Sequence, residues 1–219
     1  IAIIVVISLI KSLDMTMLYT FDIKEHFYKT LIVSFVSCIM MLFVTELVVP
    51  IQSYFLPEIT LYAALIFPVH GIRVLSAWLF GWASVFYLFV SNIFIFFLLS
   101  RHEENIYALL STQSVIAWVL VSVICIFTFD LLRVSGVDIK TTVGKFNKDA
   151  WKLIILVGFI SSVFNSLGHN LIFTSTILPE NSLRVILAFL FGDTTGTVAC
   201  LFILIYVFKF LRRFPALNL

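Results

Sequence analysis

Four ionisable side chains stand inside long apolar runs of this chain: His70 and Arg73 within residues 60–80, His169 within 153–175 and Asp193 within 185–208. Each costs about 2.5–3.5 kcal/mol to place in hydrocarbon on insertion scales, so each needs a partner or a purpose. Amides and hydroxyls accompany them at Asn92, Asn165, Asn170, Thr194, Thr195 and Thr197. At about 1.5 Å of rise per residue, Asp193 and His169 lie roughly 9–12 Å from the outer ends of their runs, and His70 and Asn165 roughly 15 Å. The set gathers between the midplane and the outer face, from four different runs. It reads as one polar pocket open toward the outside.

Spacing sorts the set further. His70 and Arg73 are three apart and Asn165 and His169 four apart, so each pair shares a helix face. Asp193 requires a cation, and Arg73, the one fully charged cation in these runs, has a stem long enough to extend to it. The chemistry on offer is recognition of a small molecule or ion. Arg73 and Asp193 would set the charge balance, and His70, Asn92, Asn165, His169, Asn170 and Thr194 would give orienting hydrogen bonds. The plainer reading is a buried Arg73–Asp193 pair that fixes helix register, with amides and hydroxyls bonding across helices. Two His and one Asp on separate runs have no metal-ligand spacing, so no cofactor, metal or enzymatic activity is expected. His102, Glu103 and Glu104 read as a wet loop.

The elements that must carry these residues follow from composition. Of 219 residues 62% are hydrophobic and 12% charged, and the 24 Phe outnumber the 14 Lys and Arg. A water-soluble fold could not cover such a surface, so lipid is the expected solvent and an all-α polytopic transmembrane bundle the expected fold. Cys38, Cys125 and Cys200 sit in apolar runs without paired spacing and read as small buried residues. A net charge of +2 gives no argument for nucleic acid.

About six spans are legible: 29–49, ended by Pro50; a pair within 60–99; then 106–129, 153–175 and 185–208. Forty continuous helical residues would reach about 60 Å, twice the hydrocarbon thickness, so 60–99 must fold back, most simply at Gly81–Ser84. Pro68 should kink or split the first arm near Pro68–Gly71. Before the bundle, residues 1–28 combine an apolar tail, too short to span, with an amphipathic interfacial segment carrying Leu13, Met17, Leu18 and Phe21. The bundle covers 29–209, and 210–219 is a basic cytoplasmic tail. Gly192 and Gly196 bracket Asp193 and should admit a neighbouring helix closely, making the last span central. Trp78, Trp82, Trp118 and Trp151 read as packing or interfacial anchors.

Cations orient the bundle. With the N-terminal side inside, inner segments hold eleven Lys and Arg and outer segments only Arg101 and Arg184. Inner loops collect Lys and Arg, so both ends of the bundle are expected in the cytoplasm.

Two stretches carry a family resemblance. FPVHGIRVLSAWLFGW (67–82) and FLFGDTTG (189–196) resemble segments of bacterial membrane-associated sensor (MASE-type) domains, with Pro68, Gly71, Gly81, Gly192, Asp193 and Gly196 as the family-like positions. The resemblance implies a helical sensory bundle in a bacterial inner membrane that feeds a cytoplasmic signalling domain. Here the chain stops ten residues after the last span, so a signal would pass to a separate partner through the 130–152 loop or the basic tail. Three functions stay open: a small-molecule or ion sensor, a compact transporter or substrate-capture subunit, and a structural subunit of a membrane complex.

Overall fold

A computed structural model describes residues 23–60, 63–100, 110–137, 150–173 and 182–211. The amphipathic stretch before Ile23, the 101–105 loop, most of the 130–152 loop and the end of the tail lie outside them. Among the described residues every regular element is helical: α1 (Ile23–Phe43), a π-helical turn (Val44–Val48), α2 (Val49–Phe55), α3 (Pro57–Thr60), α4 (Pro68–Phe80), α5 (Ala83–Leu99), α6 (Thr112–Val134), α7 (Ala150–Ile172) and α8 (Ser182–Leu211). Four helical stretches are long and apolar enough to cross a membrane, namely Ile23–Phe55, Thr112–Val134, Ala150–Ile172 and Ser182–Val207. α4 and α5, at 13 and 17 residues, are shorter.

The side-chain distribution is that of a bundle in lipid. Phe27, Phe35, Phe86, Phe191 and Phe202 are exposed, while Ser84, Ser122, Ser161, Ser162 and Thr128 are wholly buried. Large apolar groups cost nothing against hydrocarbon, whereas small hydroxyls let helices approach and bond to carbonyls. The main apolar core is built on Val74, Trp78, Cys125, Phe129, Ile154, Val157 and Leu201.

Three features differ from the sequence expectation. The first helix begins at Ile23, inside the segment assigned to the interface, and it does not end at Pro50. The π-helical turn takes its place: Val49 N–H bonds to Val44 O, and Pro50 enters α2 at its start, where its missing N–H leaves no gap. Second, the central element is α4, not α8. Ten of its 13 residues are buried, and it touches α1, α5, α6, α7 and α8, while α8 packs on α4 and α7 and leaves Leu187, Phe191 and Phe202 exposed. Third, helix runs without a break from Pro68 through Gly71, and the interruption precedes Pro68. α4 and α5 pack on each other across a two-residue turn, where Gly81 takes φ 56°, a conformation that disfavours any other side chain.

Residues 63–67 cross the bundle without helical structure, and their backbone groups find other partners. Gln52 Nε2 donates to Ala63 O at 2.8 Å, and Leu65 N–H donates to Gln52 Oε1 at 2.7 Å. Thr195 Oγ1 donates to Leu65 O, and Phe67 N–H to Gly192 O at 3.0 Å. Irregular backbone is tolerated in a membrane only when satisfied in this way. Gly192 and Gly196 make it possible, because a Cβ there would stand 2.0 Å from Ala64 O and 2.1 Å from Phe67 O.

Candidate functional site

The residues singled out by sequence fall into two neighbouring groups. The first is a buried lock on Asp193 of α8, which is 1% exposed. Its Oδ2 accepts from Asn165 Nδ2 at 2.7 Å and from Ser162 Oγ at 3.3 Å, both on α7. His70 Nδ1 of α4 stands 3.6 Å from the same oxygen. His70 Nε2 lies 3.1 Å from Ser161 Oγ and 3.2 Å from Gly158 O. One carboxylate thus joins α4, α7 and α8.

Asp193 is therefore held by Asn165, Ser162 and His70, and Arg73 is not its ion-pair partner. The reason lies in the rotation of α4. Gly71 is its closest approach to α8, since a Cβ there would come within 2.5 Å of Cys200 Cβ. Two residues on, Arg73 is turned by about 200° and leaves that interface, whereas His70 flanks it. Ser161, His70 and Asp193 are connected in the order hydroxyl, imidazole, carboxylate, as in a nucleophilic relay. A nucleophile also needs an approach. Ser161 and His70 are wholly buried, so the geometry makes this triple an internal lock.

The second group lines a cavity of about 320 Å³. Arg73 from α4, Asn92 from α5 and His169 from α7 meet there, with Ser114 and Trp118 of α6 and the rings of Phe67 and Phe173. Asn92 Nδ2 donates to Ser122 Oγ at 3.2 Å, and Ser122 in turn donates to Trp118 O at 2.6 Å. His169 Nδ1 donates to Asn165 O at 3.0 Å, and its ring lies against Phe173 and Phe189 at 6.0 and 5.3 Å. The guanidinium of Arg73 sits 5.5 Å from the centre of the Phe67 ring. Three of the eight expected recognition residues thus converge on one space, each from a different helix.

A smaller cavity of about 210 Å³ lies beside it, with Met41 and Phe67 in the walls of both. Asp193, Thr45 of the π-helical turn, Thr60 and the non-helical Ala63 and Ala64 line it. The remaining expected residues lie apart. Thr194 donates to Leu190 O of its own helix at 2.7 Å and lines a separate apolar cavity of about 490 Å³ with Leu65, Phe159 and Arg184. Asn170 Nδ2 is buried without a hydrogen-bond partner among the described residues and lines none of these cavities. Pro68 opens α4, Gly71 and Gly196 admit close neighbours, and Gly81 makes the turn.

Sequence reasoning missed Gln52, Ser161, Ser162, Ser122 and Trp118 as parts of these groups. A signal existed for the serines: Ser161, Asn165 and His169 recur at four-residue steps, as do Ser162 and Ser166, a polar stripe down an otherwise apolar helix. Trp82, expected as an anchor, instead donates Nε1–H to Asp130 Oδ2 at 2.8 Å, and Asp130 also pairs with Arg133 at 2.7 Å.

Comparison of the chain with family models, with curated proteins and with solved structures gave no match. The class rests on the fold and the site alone: an all-helical membrane protein with a cavity among its helices into which a few polar side chains project.

Proposed function

We propose that this chain is a non-enzymatic, multi-pass protein of a bacterial inner membrane that recognises a small molecule or ion inside its bundle. The observation that carries the reading is the convergence of Arg73, Asn92 and His169 on one cavity, walled by Phe67, Trp118 and Phe173. A few directed polar groups on an apolar wall are the usual make-up of a ligand site. The eleven-to-two cation asymmetry supports six spans with both bundle ends in the cytoplasm. The MASE-type resemblance supports sensing, with helix rearrangement passed to a separate signalling partner. Purified protein should gain thermal stability from at least one compound in a panel of amino acids, sugars, nucleobases, carboxylates and metal ions, and Asn92→Ala should lose that gain. A flat response across the panel sinks the reading.

A transporter is the second reading, favoured by the non-helical 63–67 stretch that meets α8 beside the Asp193 cavity. Broken helices at membrane depth line substrate paths in many transporters. Flux of the stabilising compound into proteoliposomes separates the two, because a sensor binds without flux.

A further inference from the structure

Arg73 brings a full positive charge into the bundle, where Asp193 acts on it electrostatically but makes no direct ion pair with it. It is 9% exposed, and the ion pairs among the described residues are Lys29–Glu25, His70–Asp193 and Arg133–Asp130. Asp193 directs Oδ2 to Asn165, Ser162 and His70 instead. The Phe67 ring offers Arg73 a cation–π attraction and no hydrogen-bond acceptor. A guanidinium presents five N–H donors in a planar fork that matches a carboxylate or phosphate. Burying such a group without a hydrogen-bond acceptor is costly, which favours an anion that can reach its donors.

The other lining groups define the rest of the occupant. Asn92 uses Nδ2 on Ser122, which leaves Oδ1 as an acceptor. His169 donates Nδ1–H to a carbonyl, which can only accept, so Nε2 of the neutral ring is also an acceptor. The rings of Phe67, Trp118 and Phe173 supply apolar wall. At about 320 Å³ the space is near the lower end of small-molecule pockets, roughly 300–1,000 Å³.

We infer that this cavity takes an amphiphilic anion. A carboxylate or phosphate head meets Arg73, a hydroxyl or N–H beside the head donates to Asn92 Oδ1 or His169 Nε2, and an apolar body lies on the aromatic wall. The inference rests on the recognition reading above and narrows it to one ligand chemistry. That chemistry has two sources, a free organic acid or an anionic lipid whose head carries hydroxyls.

The test is thermal unfolding of the full chain in two settings. In detergent the probes are 3-phenyllactate, its neutral amide, and 3-phenylpropionate, which lacks the hydroxyl. In nanodiscs, phosphatidylcholine alone is compared with phosphatidylcholine containing phosphatidylglycerol. A free acid as source predicts a Tm that rises with phenyllactate concentration, rises less with phenylpropionate and does not move with the amide. A lipid source predicts a higher Tm only when phosphatidylglycerol is present. In the arm that responds, Arg73→Gln should weaken the effect about tenfold or more, the loss of a charge-assisted bond. Without ligand Arg73→Gln should melt at or above the wild type, since it removes a buried charge that makes no direct ion pair. Equal stabilisation by acid and amide, or a ligand-free Arg73→Gln that melts below wild type, overturns the inference. Neutral or cationic compounds that bind and are lost in Asn92→Ala would leave the recognition cavity standing while the anion falls. No response to any of these probes or to the lipid overturns the anion, and a flat response across the wider panel as well overturns both.

Discussion

Asp193 and Arg73 carry opposite charges in one bundle yet belong to different neighbourhoods, and the difference can be measured. Asp193→Asn keeps a side-chain oxygen that can accept from Asn165 and leaves Arg73 untouched. The expected cost is about 1 kcal/mol, the net worth of one altered hydrogen bond. Asp193→Ala removes the acceptor and strands the buried Asn165 Nδ2, with an expected cost of about 1–3 kcal/mol. Denaturant unfolding in a fixed detergent reads both values. A direct Arg73–Asp193 pair would instead make Asp193→Asn cost about 3–5 kcal/mol by stranding a buried cation, and that result would refute the lock described above. The residue types at this centre were legible, because intramembrane charges and amides stand out against an apolar background. Their partners were not. Whether Asp193 meets His70 or Arg73 is decided by which face of α4 turns toward α8, and that depends on the contact of Gly71 with Cys200 across two distant runs.

At the scale of elements, the non-helical stretch 63–67 sets how α4 enters the bundle, and two kinds of contact hold it. Gln52 satisfies both Ala63 O and Leu65 N–H, so Gln52→Leu leaves two backbone groups, one buried and one half-buried, without these partners. The expected loss is about 1–3 kcal/mol for each group stranded, less whatever water restores. Proteolysis or hydrogen exchange should show the loosening first in residues 63–67, and unchanged protection there would count against the role given to Gln52. Gly196 of α8 and Gly168 of α7 give a graded comparison. In Gly196→Ala the new methyl meets a backbone carbonyl, Phe67 O, at 2.1 Å, whereas in Gly168→Ala it meets the end of a Leu120 side chain at 2.4 Å, which can rotate away. Overpacking costs about 1–3 kcal/mol, with Gly196→Ala at the upper end or beyond and Gly168→Ala at the lower. Equal destabilisation would show that α8 can withdraw from the segment as a body. These features explain what the hydrophobic pattern could and could not give. Long apolar runs revealed the helices, but the π-helical turn that carries α1 past Pro50, and a side-chain amide standing in for missing helix bonds, arise from packing between elements.

For the molecule as a whole, exposed Phe and Leu with buried Ser and Thr invert the pattern of a soluble bundle, and this inversion was readable from composition alone. Orientation is an expectation that rests on the statistical pull of cations toward the cytoplasm. It makes a sharp prediction, because it decides from which side the Arg73 cavity would be reached. Ser53, between α1 and α4, and Ser135, just after α6, are both exposed and fall on opposite sides in the six-span arrangement. In a background with Cys38, Cys125 and Cys200 replaced by Ala or Ser, Ser53→Cys should react with a membrane-impermeant maleimide on intact cells. Ser135→Cys should react only after permeabilisation. The reverse pattern would place both ends of the bundle outside and turn the cavity toward the cytoplasm, making its ligand a cytoplasmic metabolite. Labelling of both positions from one side would require an even number of crossings between them, so that α4 and α5, at 13 and 17 residues, together cross once and α6 once.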